Sequence, residues 1–129
     1  MGELADFAAQ ICESLYKTTE CMTAVCDRDS IIAISGGTKR DFQDKRISPE
    51  VEQIMEGRRL YNYEQNTDHK PVIDGDDKHG LLVAAPILSE GDVLGCVIFI
   101  SQKNSPPPGE LELKLAQTVA GFLGRQMES

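Results

Sequence analysis

The sequence predicts an α+β fold: an antiparallel sheet with helices on its faces. Two pairs of apolar, strand-like runs are each joined by a short polar turn. Residues 22–26 and 31–36 flank Asp27-Arg28-Asp29-Ser30, and residues 81–88 and 93–100 flank Ser89-Glu90-Gly91-Asp92. Both ends of the chain carry apolar residues at helical spacing. The order helix, hairpin, helix, strand, polar excursion, hairpin, helix lets the strands pair as antiparallel hairpins, with the helices left to cover the sheet.

Each element has a local reason. Leu4, Phe7, Ala8, Ile11 and Leu15 recur at three- and four-residue steps, which predicts an amphipathic helix over 3–17. In the first hairpin, Ile31, Ile32 and Ile34 suit a pleated surface, and the short side chains of Asp27, Asp29 and Ser30 can bond nearby amides in a turn. The pattern in 36–47 is too short to resolve, and the stretch is expected to be partly irregular. Ser48 as cap, Pro49 at the first helical position, Val51, Ile54 and Met55 as the apolar side and Gly57 as terminator predict a short helix over 48–57. Aromatic and polar residues alternate in 59–63, predicting a middle strand, and 64–79 reads as a long polar excursion. Pro106-Pro107-Pro108-Gly109 stops the last strand, and Glu110 opens a helix to Met127 with its charge well placed against the helix dipole. Leu111, Leu115, Val119, Phe122 and Leu123 form the apolar face of that helix, while Ala116, Ala120 and Gly124 make a row of small residues expected to admit a neighbouring helix. The first and last helices are expected to pack together on one face of the sheet. Their combined apolar width leaves surface for a partner subunit, so a homodimer or higher homo-oligomer through the terminal helices is expected.

Length and charge bound the function. The 129 residues suffice for one core, so a single domain over 1–129 is expected. Thirteen Lys plus Arg against 21 Asp plus Glu give a net charge of −8 without any basic run, which argues against direct contact with nucleic acid. No apolar run approaches the roughly 18–20 residues of a bilayer span, and no leader pattern is visible. A cytoplasmic protein with no membrane partner is expected. Cys12, Cys21, Cys26 and Cys96 lie in apolar patterns without CxxC spacing, as buried free thiols do in a reducing compartment. His69 and His79 have no cysteine near them in sequence, so neither a metal nor a cofactor is expected. Asp74-Gly75-Asp76-Asp77 lacks the downstream glutamate of an EF-hand loop, and Gly36-Gly37-Thr38-Lys39 lacks the first glycine of a phosphate loop. They read as solvated charge and a hairpin exit.

The paired hairpins resemble those of GAF domains, a family of small-molecule sensor and dimerisation modules. More narrowly, Cys26-Asp27-Arg28-Asp29, the run from Ile32 to Gly37, Lys39-Arg40-Asp41, Lys45-Arg46-Ile47-Ser48 and the stretch 120–128 resemble the C-terminal regulatory domains of the stage V sporulation protein T family. The resemblance spans nearly the whole chain. It implies AbrB-type transcription regulators of endospore formation, which reach DNA through an N-terminal swapped-hairpin domain; residues 1–129 are expected to be the regulatory domain alone.

A sensor pocket is expected between the sheet and the segments covering it, with Arg59, Tyr61, Tyr63 and His79 as ligand-binding candidates. Arg59 suits a carboxylate or phosphate, the tyrosines can stack and hydrogen-bond, and an imidazole is the side chain that can exchange a proton near neutral pH. Each has a structural alternative: core tyrosines with outward hydroxyls, a surface arginine, a loop histidine. The expected function is a regulatory domain that binds an unidentified small molecule or relays a signal to an attached DNA-binding domain. The alternatives are a ligand-free oligomerisation module and a cysteine-dependent enzyme resembling the free methionine sulfoxide reductases. The enzyme needs an exposed thiolate beside a resolving thiol, which Cys12 and Cys96 do not suggest, so no catalytic residue is assigned.

Overall fold

A computed structural model describes residues 3–101 and 107–128. In chain order the elements are α1 (Leu4–Thr19), β1 (Met22–Cys26), β2 (Ile31–Ser35), α2 (Lys39–Phe42), α3 (Pro49–Gly57), β3 (Tyr61–Asn62), β4 (Gly80–Ser89), β5 (Asp92–Ser101) and α4 (Glu110–Gln126). The strands form one antiparallel sheet in the order β2-β1-β5-β4-β3. Both expected hairpins are present, and pairing of β1 with β5 joins them into a single sheet.

Turn chemistry sets each hairpin. Asp27 Oδ1 accepts from the Asp29 and Ser30 amides, both at 2.8 Å, which closes the first turn. In the second turn Glu90 and Gly91 have φ of 52° and 87°, the paired positive values of a two-residue hairpin loop whose twist matches its strands. All five residues of β1 are buried because the strand is covered on both faces.

On one face lie α1 and α4, which touch each other. Their Ala8, Cys12, Leu15, Ala116, Ala120 and Leu123 pack with Val25, Ile87, Val97 and Phe99 of the sheet. On the other face Phe42, Val51, Met55, Val72 and Ile73 pack with Ala24, Cys26, Cys96, Ile98 and Ile100. Full burial of each large side chain contributes about 1.5–3 kcal/mol, so neither layer is dispensable.

The structure departs from the sequence reading at several points. At the end of the small row Ala116, Ala120, Gly124, the glycine faces the sheet, since a Cβ on Gly124 would run into the Leu88 carbonyl oxygen of β4. The middle strand shrinks to Tyr61–Asn62. The polar excursion is tied down: Ile47 bridges Ile73, Pro71 bridges Gly80, and Val72 and Ile73 enter the core. The partly irregular stretch 36–47 holds one short helix, α2, an addition and not a contradiction, and its Phe42 is only 1% exposed. Of the proline stop, Pro106 lies outside the described residues.

Ser48 holds α3 to the excursion. Its hydroxyl accepts from the Val51 amide at 3.1 Å and donates to the Pro71 carbonyl at 2.6 Å, at a fully buried position. Ser48→Ala removes a helix cap and strands two backbone groups. We expect a loss of about 2 kcal/mol in urea denaturation, and a change under 0.5 kcal/mol would contradict this account. Among the described residues no helix is long and apolar enough to cross a membrane.

Candidate functional site

The sheet face opposite α1 and α4 carries an open cleft of about 640 Å³, within the range of small-molecule sites. Met22, Gly37 and Phe42 make its apolar floor, and Thr38, Asp41, Asp77, Lys78 and His79 make its rim. The floor depends on the absence of a side chain at residue 37, since a Cβ there would stand 2.9 Å from Met22 Sδ and 3.2 Å from Phe42 Cε2.

His79 is fixed from two directions. Its ring stands edge-on to Phe42 with centroids 4.8 Å apart, and its Nδ1 lies 2.8 Å from Asp76 Oδ2. Burial pushes the Asp76 carboxyl up, but hydrogen bonds from the Lys78 amide and the His79 ring outweigh it and hold the group below its ordinary value. A carboxyl that titrates lower in the folded state contributes stability above the unfolded value of about 3.9, and that contribution fades as pH falls through the folded value. The urea midpoints of wild type and Asp76→Asn are therefore expected to differ near neutrality and to converge below about pH 4. A constant gap across that range would exclude the pair as the source.

The four candidate residues do not converge. His79 lines the cleft, whereas Arg59 is exposed. Tyr61 packs against the core on the cleft's side of the sheet, with Lys70 Nζ 5.8 Å from its ring centroid. Tyr63 belongs to the opposite cluster, where it stacks on His69 at 3.9 Å and donates to the Thr67 carbonyl. Sequence reasoning missed Phe42, Thr38 and Asp41. The signal was present as Thr38-Lys39-Arg40-Asp41, the spacing of a capping box that starts a helix. In the structure Thr38 Oγ1 donates to Asp41 Oδ2 at 2.7 Å, and the turn so begun carries Phe42 inward.

Cys12, Cys21 and Cys96 sit in settings that keep their thiols protonated. Burial pushes Cys12 up to about 12 and raises Cys21, whose side chain is partly exposed. Cys96 is raised well above the ordinary thiol range by burial and then by Cys26, its cross-strand neighbour. Cys21 immediately precedes β1 and Cys26 ends it, so the extended strand between them holds them too far apart to exchange a disulfide. Among the described residues no group of three or more His, Cys, Asp or Glu side chains is placed to hold a metal ion.

Comparison with known proteins fits this geometry. Stage V sporulation protein T of Bacillus subtilis (strain 168) is 36% identical over 129 residues, a match covering 99% of this chain and 71% of that protein. The fold is that of a GAF domain. The GAF domain of an Acinetobacter phosphoenolpyruvate-protein phosphotransferase superposes with a TM-score of 0.75 at 12% identity, covering 97% of this chain and 82% of that one. A type II free methionine-R-sulfoxide reductase from Thermoplasma acidophilum gives 0.70 at 9% identity, covering 95% and 94%. At such identities the two structures speak for the fold alone. The family model described as stage V sporulation protein T C-terminal, transcription factor, matches residues 3–128. This chain belongs to that family, whose namesake is a sporulation transcription regulator.

Proposed function

We propose that this chain is a non-catalytic, cytoplasmic regulatory domain of a sporulation transcription regulator: it binds a small-molecule effector in the Phe42–His79 cleft and joins subunits through α1 and α4. DNA contact then belongs to a separate N-terminal domain, in keeping with the acidic charge of this one. The observation that supports this reading best is the division of labour across the sheet. The cleft opens on one face, and on the other face α4 presents Leu111 at 60% and Phe122 at 49% exposure, flanked by the half-buried Leu115 and Val119. Apolar side chains in a row on a helix favour a second helix over water. An effector that prefers one arrangement of the strands beneath the cleft shifts the helices behind them, and with them the attached DNA-binding domains.

The test joins solution mass with thermal stability. The domain is expected to run as a dimer or larger at micromolar concentration, and Phe122→Glu to reduce it to a monomer of unchanged fold. A wild-type monomer would sink the assembly role. Across a metabolite library, a saturable rise in melting temperature that Thr38→Trp removes, by covering the cleft mouth, supports the effector role. A stable dimer with no such response favours the ligand-free assembly module. Sustained turnover of free methionine sulfoxide with a thiol reductant, lost on replacing Cys21 or Cys26, would overturn the non-catalytic reading.

A further inference from the structure

Charge does not decide what the cleft takes. Around it and the more polar hollow beside it, Arg40, Lys45 and Lys78 stand against four aspartates, close to balance. Selection then falls to shape and hydrogen bonding. His79 lines both spaces, with 21% of its side chain exposed, and its ring is held so that one nitrogen is on offer. Nδ1 lies 2.8 Å from Asp76 Oδ2, and an ionised carboxylate only accepts, so Nδ1 carries the proton of the neutral ring. Nε2 is therefore a bare acceptor. It has no hydrogen-bond partner among the described residues, where no side-chain nitrogen or oxygen is both buried and unpartnered, so it is open to an incoming group. The Phe42 ring packs against the same imidazole, which sets an apolar surface beside that acceptor.

We propose that the effector of this cleft is a small uncharged molecule that donates an N–H or O–H hydrogen bond to His79 Nε2 and lays an apolar body on Met22, Gly37 and Phe42. The proposal rests on reading the cleft as an effector site and adds the chemical class of the effector. Asp76 is a positioning residue in it, because it fixes the tautomer of His79. Its other oxygen, Oδ1, accepts from the Lys78 amide at 3.0 Å. In Asp76→Asn the side-chain oxygen keeps that bond, which turns the amide nitrogen toward Nδ1. Nδ1 must then accept, the ring proton moves to Nε2, and the site changes from an acceptor into a donor.

Ligand-detected NMR at about pH 8.5, where imidazole side chains are ordinarily neutral, tests it with three probes of similar size. Indole carries an N–H donor, 1-methylindole has had it replaced by a methyl group, and quinoline offers only an acceptor nitrogen. Wild type is expected to bind indole about two- to tenfold more tightly than either of the others. Asp76→Asn is expected to reverse the order of indole and quinoline, which a role for Asp76 in packing alone would not do. In His79→Phe, which keeps a ring against Phe42, the three are expected to bind alike. Thr38→Trp and Gly37→Leu close the cleft in two ways, so a folding defect in one leaves the other informative. If wild type binds the three probes equally and both closures block them, the cleft reading stands and the donor class falls. A preference for indole that survives in Asp76→Asn or in His79→Phe overturns the assignment of His79 as the acceptor. Binding that neither closure affects, or no binding of any probe, overturns both the class and the site.

Discussion

Replacing Gly124 with alanine is expected to destabilise the domain by about 3 kcal/mol, the upper end of overpacking costs, although alanine is the better helix former. The obstacle is the Leu88 carbonyl oxygen of β4, a main-chain atom that cannot swing aside as a side-chain tip would. To admit even one methyl group, α4 must lift from the sheet and loosen Ala120 and Leu123 with it. Gly121 supplies the control three residues away. A Cβ there meets nothing within 4 Å, so Gly121→Ala is expected to stabilise by up to about 1 kcal/mol through helix propensity alone. Urea denaturation of the two variants separates packing from propensity. Shifts of the same sign would show that α4 does not seat on β4 through Gly124.

The second large effect is expected from Phe42→Ala, at about 3–5 kcal/mol. Phe42 is almost fully buried, comes from a helix of only four residues, and is the side chain through which α2 joins the core. Its removal opens a cavity in the cluster it shares with Met22 and Ile47 and frees one side of the His79 ring. The loss in urea denaturation should therefore be accompanied by faster amide hydrogen exchange over 76–79. A cost below 1 kcal/mol would mean that the cleft floor carries little of the fold's stability.

How much was legible beforehand differs between the fold and the cleft. Both hairpins and both long helices were read from local signals: the Asp27 turn, the Glu90-Gly91 loop and apolar spacing at helical period. Pairing between β1 and β5 had no such mark, because the strands are far apart in sequence and the bonds between them belong to the backbone. The helix-facing role expected of the row fails at Gly124, because a small residue admits a strand as readily as a helix. Val72 and Ile73 were hidden by polar neighbours, since two core residues in sixteen positions leave no period to detect. The candidate residues scattered for a related reason. Tyr61 and Tyr63 were read as parts of one alternating strand, but the strand stops after Asn62, and Tyr63, just beyond its end, packs with the other cluster.

The pairing of β1 with β5 also constrains how the domain is made. Met22 lies opposite Ile100, so the second strand to flank β1 is synthesised almost eighty residues after β1 itself. At about 5–20 residues per second, the first hairpin emerges and waits for several seconds with both apolar faces and one edge uncovered. Helix α1 can shield one face during that interval, which makes early helix formation a safeguard against misassembly as well as a structural contribution. Sheet closure is a late, long-range event, and the order of domain maturation follows the order of translation.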